Sequence, residues 1–226
     1  MSTLLITIVP SILILSYFFL SDRFKEPKGS IALVFFLGVL ICLPAGIIND
    51  FMYENYNDGS DFSKKLYNSF LGPAWGEELL KFIILYFVVL RRNEFNEPMD
   101  GIVYGVTVSL GFATYENYDY VFRLAEIWEI DPYQLAVWRS YSAIPMHGLN
   151  GCVMGFYFGM YSFTANKKYL ILCLLIPFLI HGFYNFLDHP YHLSIIGMLT
   201  IYAIALHSNF KKLQSEKLKE VEIKKI

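Results

Sequence analysis

Three ionisable side chains, Glu77, Glu78 and Lys81, stand within five residues of one another inside the apolar run GPAWGEELLKFIILYFVVL at 72–90. In water this would read as the acidic first turn of a helix with a paired lysine. In a bilayer it is expensive, because one ionised side chain near the centre costs at least about 3 kcal/mol on insertion scales. Lys81 is four residues from Glu77 and three from Glu78, so on a helix it reaches either carboxylate. The lysine can hold one glutamate charged, and the second is then crowded by a like charge in a dry setting. Two carboxyls in unequal protonation states are what acid–base chemistry on a water molecule needs. The plainer reading is an ion cluster that fixes helix register.

Three further apolar runs carry polar residues of the same kind. GFATYENYDY holds Phe112, Glu116 and Asn117; IPMHGLNG holds His147 and Asn150; PFLIHGFYNFLDH holds His181 and Asn185. The last two are four apart and share one helix face. Each has a structural alternative. Glu116 could simply pair with Arg139 or Arg123, His147 could be a packing residue, and Asn150 and Asn185 could be hydrogen-bonding glue between helices.

The elements that must position these groups are membrane spans. The chain has 226 residues, 55% hydrophobic and only 17% charged, with a net charge of −2. A soluble domain carries about 25% charged residues. The small net charge speaks against nucleic acid as a partner. Roughly 20 apolar residues cross a bilayer, which places spans near 3–20, 31–53, 66–90, 99–122, 139–163, 169–187 and 191–207. The expected fold is an all-α polytopic bundle of about seven spans, one domain over 1–207, followed by a solvated charged tail at 208–226. SDRFKEPKGS, RRNEFNEP, TANKK and the tail hold thirteen of the eighteen Lys and Arg. Seven spans therefore satisfy the positive-inside rule if the N-terminus is outside and the C-terminus cytoplasmic. The first run has no basic segment before it and no cleavage site, so it reads as a retained anchor.

On this topology Glu77, Glu78 and Lys81 lie roughly 15–20 Å deep, near the bilayer centre. Glu116, His147 and His181 each lie some six to eight residues below the outer boundary. Groups from four spans thus converge in depth on the middle and outer half of the membrane. Gly101 and Gly105, with Gly151, Gly155 and Gly159, recur at four-residue spacing and predict close packing of the fourth and fifth spans. Pro73 and Pro177 each precede a polar residue by four and are expected to kink their helices. Cys42, Cys152 and Cys173 read as apolar packing residues, and His189, His192 and His207 as uninvolved.

No Glu-x-x-His or His-x-x-x-His pair occurs, so no metal is expected, and no other cofactor. No serine sits in a nucleophile-elbow setting, and Cys152 lacks a base. What remains is a glutamate base acting on water, with His and Asn donors stabilising an oxyanion. A proton-coupled transporter would also place carboxylates and histidines in mid-membrane, but it predicts an echo in two halves of the chain, and none is present. A non-catalytic binding, assembly or immunity protein of the same fold is the other alternative.

EELLK at 77–81, GFATYEN at 111–117, His147 after Arg139, and HGFYN at 181–185 resemble the four motifs of the PrsW family of intramembrane proteases. That family is similar to the CAAX prenyl-endopeptidase and bacteriocin-processing superfamily. The resemblance runs from about Trp75 to Asn185. It implies a metal-independent, glutamic-type protease with Glu77 as base and Glu78 beside it. Glu116 stands where the wider superfamily has a second catalytic histidine, and His181 with Asn185 matches the oxyanion-stabilising pair. His147 matches the fifth-helix histidine, without an assigned role. Lys81, Phe112, Asn117, Arg139 and Asn150 are expected in support. The resemblance also implies a membrane-anchored protein substrate in a bacterial plasma membrane, cut near its extracytoplasmic side, an anti-sigma factor in the better-known members.

Overall fold

The structure, a computed structural model, describes residues 2–56 and 59–223, with side chains described as far as Glu216. Residues 224–226 of the expected tail lie outside the described residues. No strand occurs among the described residues, and the architecture is a bundle of long helices.

Helices α1 (Thr3–Ser21) and α2 (Lys28–Tyr56) follow one another through a short connection. The third helical stretch is not regular. It begins as α3 (Asp61–Leu66), passes through a π-helical segment at Tyr67–Ala74, and continues as α4 (Trp75–Phe87). Pro73 sits in the π-helical segment, where its missing N–H removes one regular helix bond. Helix α5 (Pro98–Asp119) starts with proline in its first turn and a reciprocal capping box between Glu97 and Asp100. It runs through a π turn at Tyr120–Leu124 into the short α6 (Ala125–Ile127). Asp131 caps α7 (Pro132–Tyr141) through the backbone N–H of Tyr133 at 3.0 Å. The chain then turns at Ser142 into α8 (Ala143–Thr164), so Arg139 belongs to a separate short helix and not to the span that follows it. Helices α9 (Lys167–Phe186) and α10 (His189–Ile223) complete the bundle.

Four helices, Thr3–Ser21, Lys28–Asn55, Lys167–Phe186 and His189–Glu216, are long and apolar enough to cross a membrane by length and composition. Helices α5 and α8 are less uniformly apolar because they face protein. Sixteen of the 22 residues of α5 are buried, against about a sixth of the most apolar window of α2. Their approach is close: a Cβ at Gly101 would run into the carbonyl oxygen of Gly155, and one at Gly105 into that of Gly151. Only glycine permits this backbone contact.

One expectation is corrected at the end of the bundle where α10 emerges. The segment from 208 was read as solvated, yet Phe210 is 1% exposed and stacks on Phe156 with ring centroids 4.4 Å apart. Gln214 is buried as well. The helix keeps an inward face for two further turns because α1 and α5 end against it.

Candidate active site

The first turn of α4 carries Glu77 and Glu78, and Lys81 follows one turn later; all three are buried. The Lys81 ammonium donates to Glu78 Oε1 at 2.8 Å and lies 3.8 Å from Glu77 Oε2. It also donates to Nδ1 of His147 on α8 at 3.2 Å and stands 4.4 Å over the ring of Phe112 on α5. Because an ammonium only donates, His147 Nδ1 accepts, and its proton sits on Nε2. That nitrogen donates to Glu116 Oε2 on α5 at 3.1 Å. The same oxygen takes Nη2 of Arg139 from α7 at 2.6 Å.

A continuous hydrogen-bonded path therefore links α4, α8, α5 and α7. Glu116 does pair with Arg139, as the structural alternative has it, but Arg123 does not join them: it is held by Asp119 in the exposed i, i+4 pair. The Arg139 guanidinium also packs 3.7 Å over the Tyr120 ring and donates from Nε to Asn117 Oδ1 at 2.7 Å. Asn117 in turn donates to the carbonyl of Thr7, tying α5 to α1.

From α9, His181 donates Nδ1–H to Glu78 Oε1 at 2.8 Å, and its Nε2 lies 3.9 Å from Glu77 Oε2. The His147 and His181 rings meet edge to face, centroids 5.1 Å apart. Glu78 Oε1 thus receives both Lys81 and His181. Glu77 Oε2 accepts no hydrogen bond among the described residues.

These groups face a cavity of about 650 Å³. Glu77, Glu116, His147, His181 and Asn185 lie on its wall with Phe112 and Arg139, whereas Glu78, Lys81 and Asn117 stand behind it. Asn150 stands apart and donates to the carbonyl of Pro177 at 3.1 Å, a contact that joins α8 to α9. Sequence reasoning missed Tyr120, Tyr184 and Asn49, all on the cavity wall. Tyr120 follows Glu116 by four, a spacing that marks the same helix face. Asn49 lies near the C-terminal end of an apolar run and gave no such signal.

Fold and site together define a membrane-embedded hydrolase, a helical bundle with a buried carboxylate–imidazole centre open to a cavity. The chain belongs to the PrsW family of intramembrane proteases, which its residues 26–208 match under the description "PrsW family intramembrane metalloprotease". It is similar to Protease PrsW of Bacillus subtilis, 40% identical over 185 residues covering 80% of this chain and 79% of that one. Protease PrsW of Geobacillus kaustophilus is 37% identical over 183 residues, 80% of this chain and 76% of its own. Protease PrsW of Clostridioides difficile is 30% identical over 216 residues, 93% and 89% respectively. No solved structure matches the chain. The protein is an intramembrane protease, a multi-pass protein of the cell membrane.

The family description implies a metal ion. One donor atom from each of Glu77, His147 and His181 lies within 4.8 Å of the others. Lys81 opposes a cation there, since its ammonium already touches His147 Nδ1 and lies near Glu77. A cation on Nδ1 would have to displace that ammonium. A cation on Nε2 would force the proton to Nδ1, against a group that cannot accept it. As arranged, the residues do not fit a metal ion.

Proposed function

We propose that this protease hydrolyses its peptide bond with water activated by Glu77 and without a metal. The observation that carries the reading is the contrast between the two adjacent carboxylates. Oε2 of each lacks a hydrogen-bond partner, but Glu78 stands behind the cavity with Oε1 committed to Lys81 and His181, while Glu77 lies on the cavity wall. A general base must have an oxygen free to take a proton. Glu77 takes the proton as water attacks the carbonyl carbon, and the oxygen of that carbonyl becomes the oxyanion.

His181 is placed to meet it. With Nδ1–H given to Glu78, a second proton on Nε2 turns the ring into a donor toward the cavity, and Glu78 pairs the charge. Asn185, four residues on and on the same wall, supplies a second donor. Glu116 stays paired with Arg139 and His147, so its part is to hold the far wall and its field. His147 is then a positioning residue that couples Lys81 to Glu116.

The same reading takes the seven long helical stretches as seven spans with the N-terminus outside, which puts the cavity in the outer half of the membrane. The substrate is a membrane-anchored protein cut near its extracytoplasmic side, and an anti-sigma factor is the class that the family resemblance implies. The test compares new protein N-termini in membranes containing the wild-type chain or Glu77→Gln at matched levels. Cleavage seen only with the intact glutamate, and undiminished by EDTA in the purified system, is expected. Cleavage lost on chelation and restored by a divalent ion would sink the metal-free mechanism. Identical N-termini in both membranes would leave a non-catalytic binding protein.

A further inference from the structure

A second buried acidic cluster lies at the opposite end of α5, independent of the hydrolytic reading. Asp22 follows the last residue of α1, Glu26 lies just before α2, and Glu97 with Asp100 opens α5. They are 1%, 4%, 3% and 0% exposed. Donor oxygens of Asp22, Glu97 and Asp100 lie within 4.8 Å of one another. Neither Asp22 nor Asp100 forms an ion pair with a Lys or Arg among the described residues. Among the described residues, Lys25 Nζ is on the carbonyls of Phe19, Leu20 and Asp22, and Arg92 pairs with Glu94 beside Ser30.

A neutral side chain from another helix points at the same place. Gln214 of α10, 3% exposed, donates from Nε2 to Asp22 Oδ1 at 2.7 Å and to Glu97 Oε1. This leaves its own Oε1 buried without a partner, together with Asp22 Oδ2 and Asp100 Oδ1. Buried polar atoms without partners are rare, and three in one cluster ask for something that satisfies all of them. Asp100 Oδ2 is already committed to the backbone N–H groups of Asn96 and Glu97, and Tyr104 donates to Glu26.

We propose that Asp22, Glu97, Asp100 and Gln214 bind a hard divalent cation of the Mg²⁺ or Ca²⁺ class. All the donors are oxygens, which suits those ions and not Zn²⁺ or Cu²⁺. Oxygens on opposite sides of a Ca²⁺ ion are about 4.6–5.2 Å apart and adjacent ones closer, so donors that all lie within 4.8 Å of one another can belong to one such ion. A half-turn of the Gln214 amide would present Oε1 in place of Nε2, exchanging hydrogen bonds to two carboxylates for a bond to the ion between them. Such a cation would clip α10 to the ends of α1 and α5, one turn beyond the buried Phe210.

The test uses the full chain in detergent carrying Glu77→Gln, so that the carboxylate shared by the other donor group is removed. After EDTA treatment, Mg²⁺ and Ca²⁺ are titrated by calorimetry and by thermal unfolding. The expected result is one site per chain and a saturable rise in Tm with at least one of the two ions. Adding Asp100→Asn or Asp22→Asn should weaken binding by at least the roughly 10–100-fold seen when even an outer partner of a metal ligand is removed. Gln214→Glu separates this reading from a cluster balanced by protons alone: it should lower Tm in EDTA and enlarge the rise on adding cation. The proposal is overturned if neither ion binds or shifts Tm, or if binding survives both aspartate substitutions.

Discussion

Two buried acidic clusters occupy the two ends of α5, Asp100 at its start and Glu116 some 24 Å further along at 1.5 Å per residue, and they are treated in opposite ways. At the Glu116 end, three carboxyls meet Lys81, Arg139 and two histidines, and the donors gather on two oxygens, Glu78 Oε1 and Glu116 Oε2. At the Asp100 end, among the described residues, Asp22, Glu26 and Asp100 meet an amide, a phenol and backbone N–H groups, and three oxygens remain vacant. The difference is instructive. Where internal cations balance the charge, the two unpartnered oxygens are Oε2 of Glu77 and Oε2 of Glu78, and of these two residues Glu77 is the one on the cavity wall. Around Asp22 and Asp100, which pair with no Lys or Arg among the described residues, the vacancies come as a group, as a ligand set would leave them.

The largest expected effect separates the two ends by activity. Glu77→Gln should lower the cleavage rate by about 10²–10⁴-fold, the range of general acid–base catalysis, while Tm stays near that of the wild type. Release of the cut fragment in reconstituted membranes measures it. Asp100→Asn, measured in the same assay at saturating cation, should leave the rate within the scatter of the wild type. An equal loss from both substitutions would merge the two clusters into one machine and break the comparison.

Stability separates them next. Lys81→Met leaves Glu78 buried against His181 alone, and breaking a buried pair in this way costs about 3–5 kcal/mol. In EDTA, Asp100→Asn should cost far less, or stabilise, because it removes one of several like charges. Thermal unfolding of both variants in one detergent sets the order, and the reverse order would show that Lys81 is dispensable to the fold.

Gly155→Ala probes the helix contact that holds both ends in register. A methyl there meets the backbone of Gly101, and overpacking costs about 1–3 kcal/mol. The smallest effect belongs to Asn150→Ala, which removes a hydrogen bond to the Pro177 carbonyl worth about 1 kcal/mol. Its cleavage rate should be unchanged; a large loss would move Asn150 from the frame into the site.

Much of this arrangement was legible in the residues. The membrane class, the approximate helical stretches and the glycine faces of α5 and α8 follow from composition and from spacings of 20, 3.6 and four residues. Lys81 within reach of both glutamates follows from helix geometry alone. Two features of the site did not. The π-helical segment before α4 sets how far Glu77 is rotated from a regular helix through Asp61, and a single proline does not announce that rotation. The turn at Ser142 frees α7 to bring Arg139 onto Glu116, although by length alone a span from 139 to 163 reads as one helix.

The sequence by itself determined that several ionisable groups lie inside long apolar helical stretches, because hydrophobic length and composition are local properties. Only the tertiary structure decided which of them touch. Rotation of each helix about its own axis is set by packing against neighbours far away in the chain, and that rotation turns Glu77 toward the cavity and Glu78 toward Lys81 and His181. It also brings Gln214, from a segment that reads as a solvated tail, against Asp22 and Glu97. No local pattern encodes that contact, since its partners lie 117 and 192 residues away.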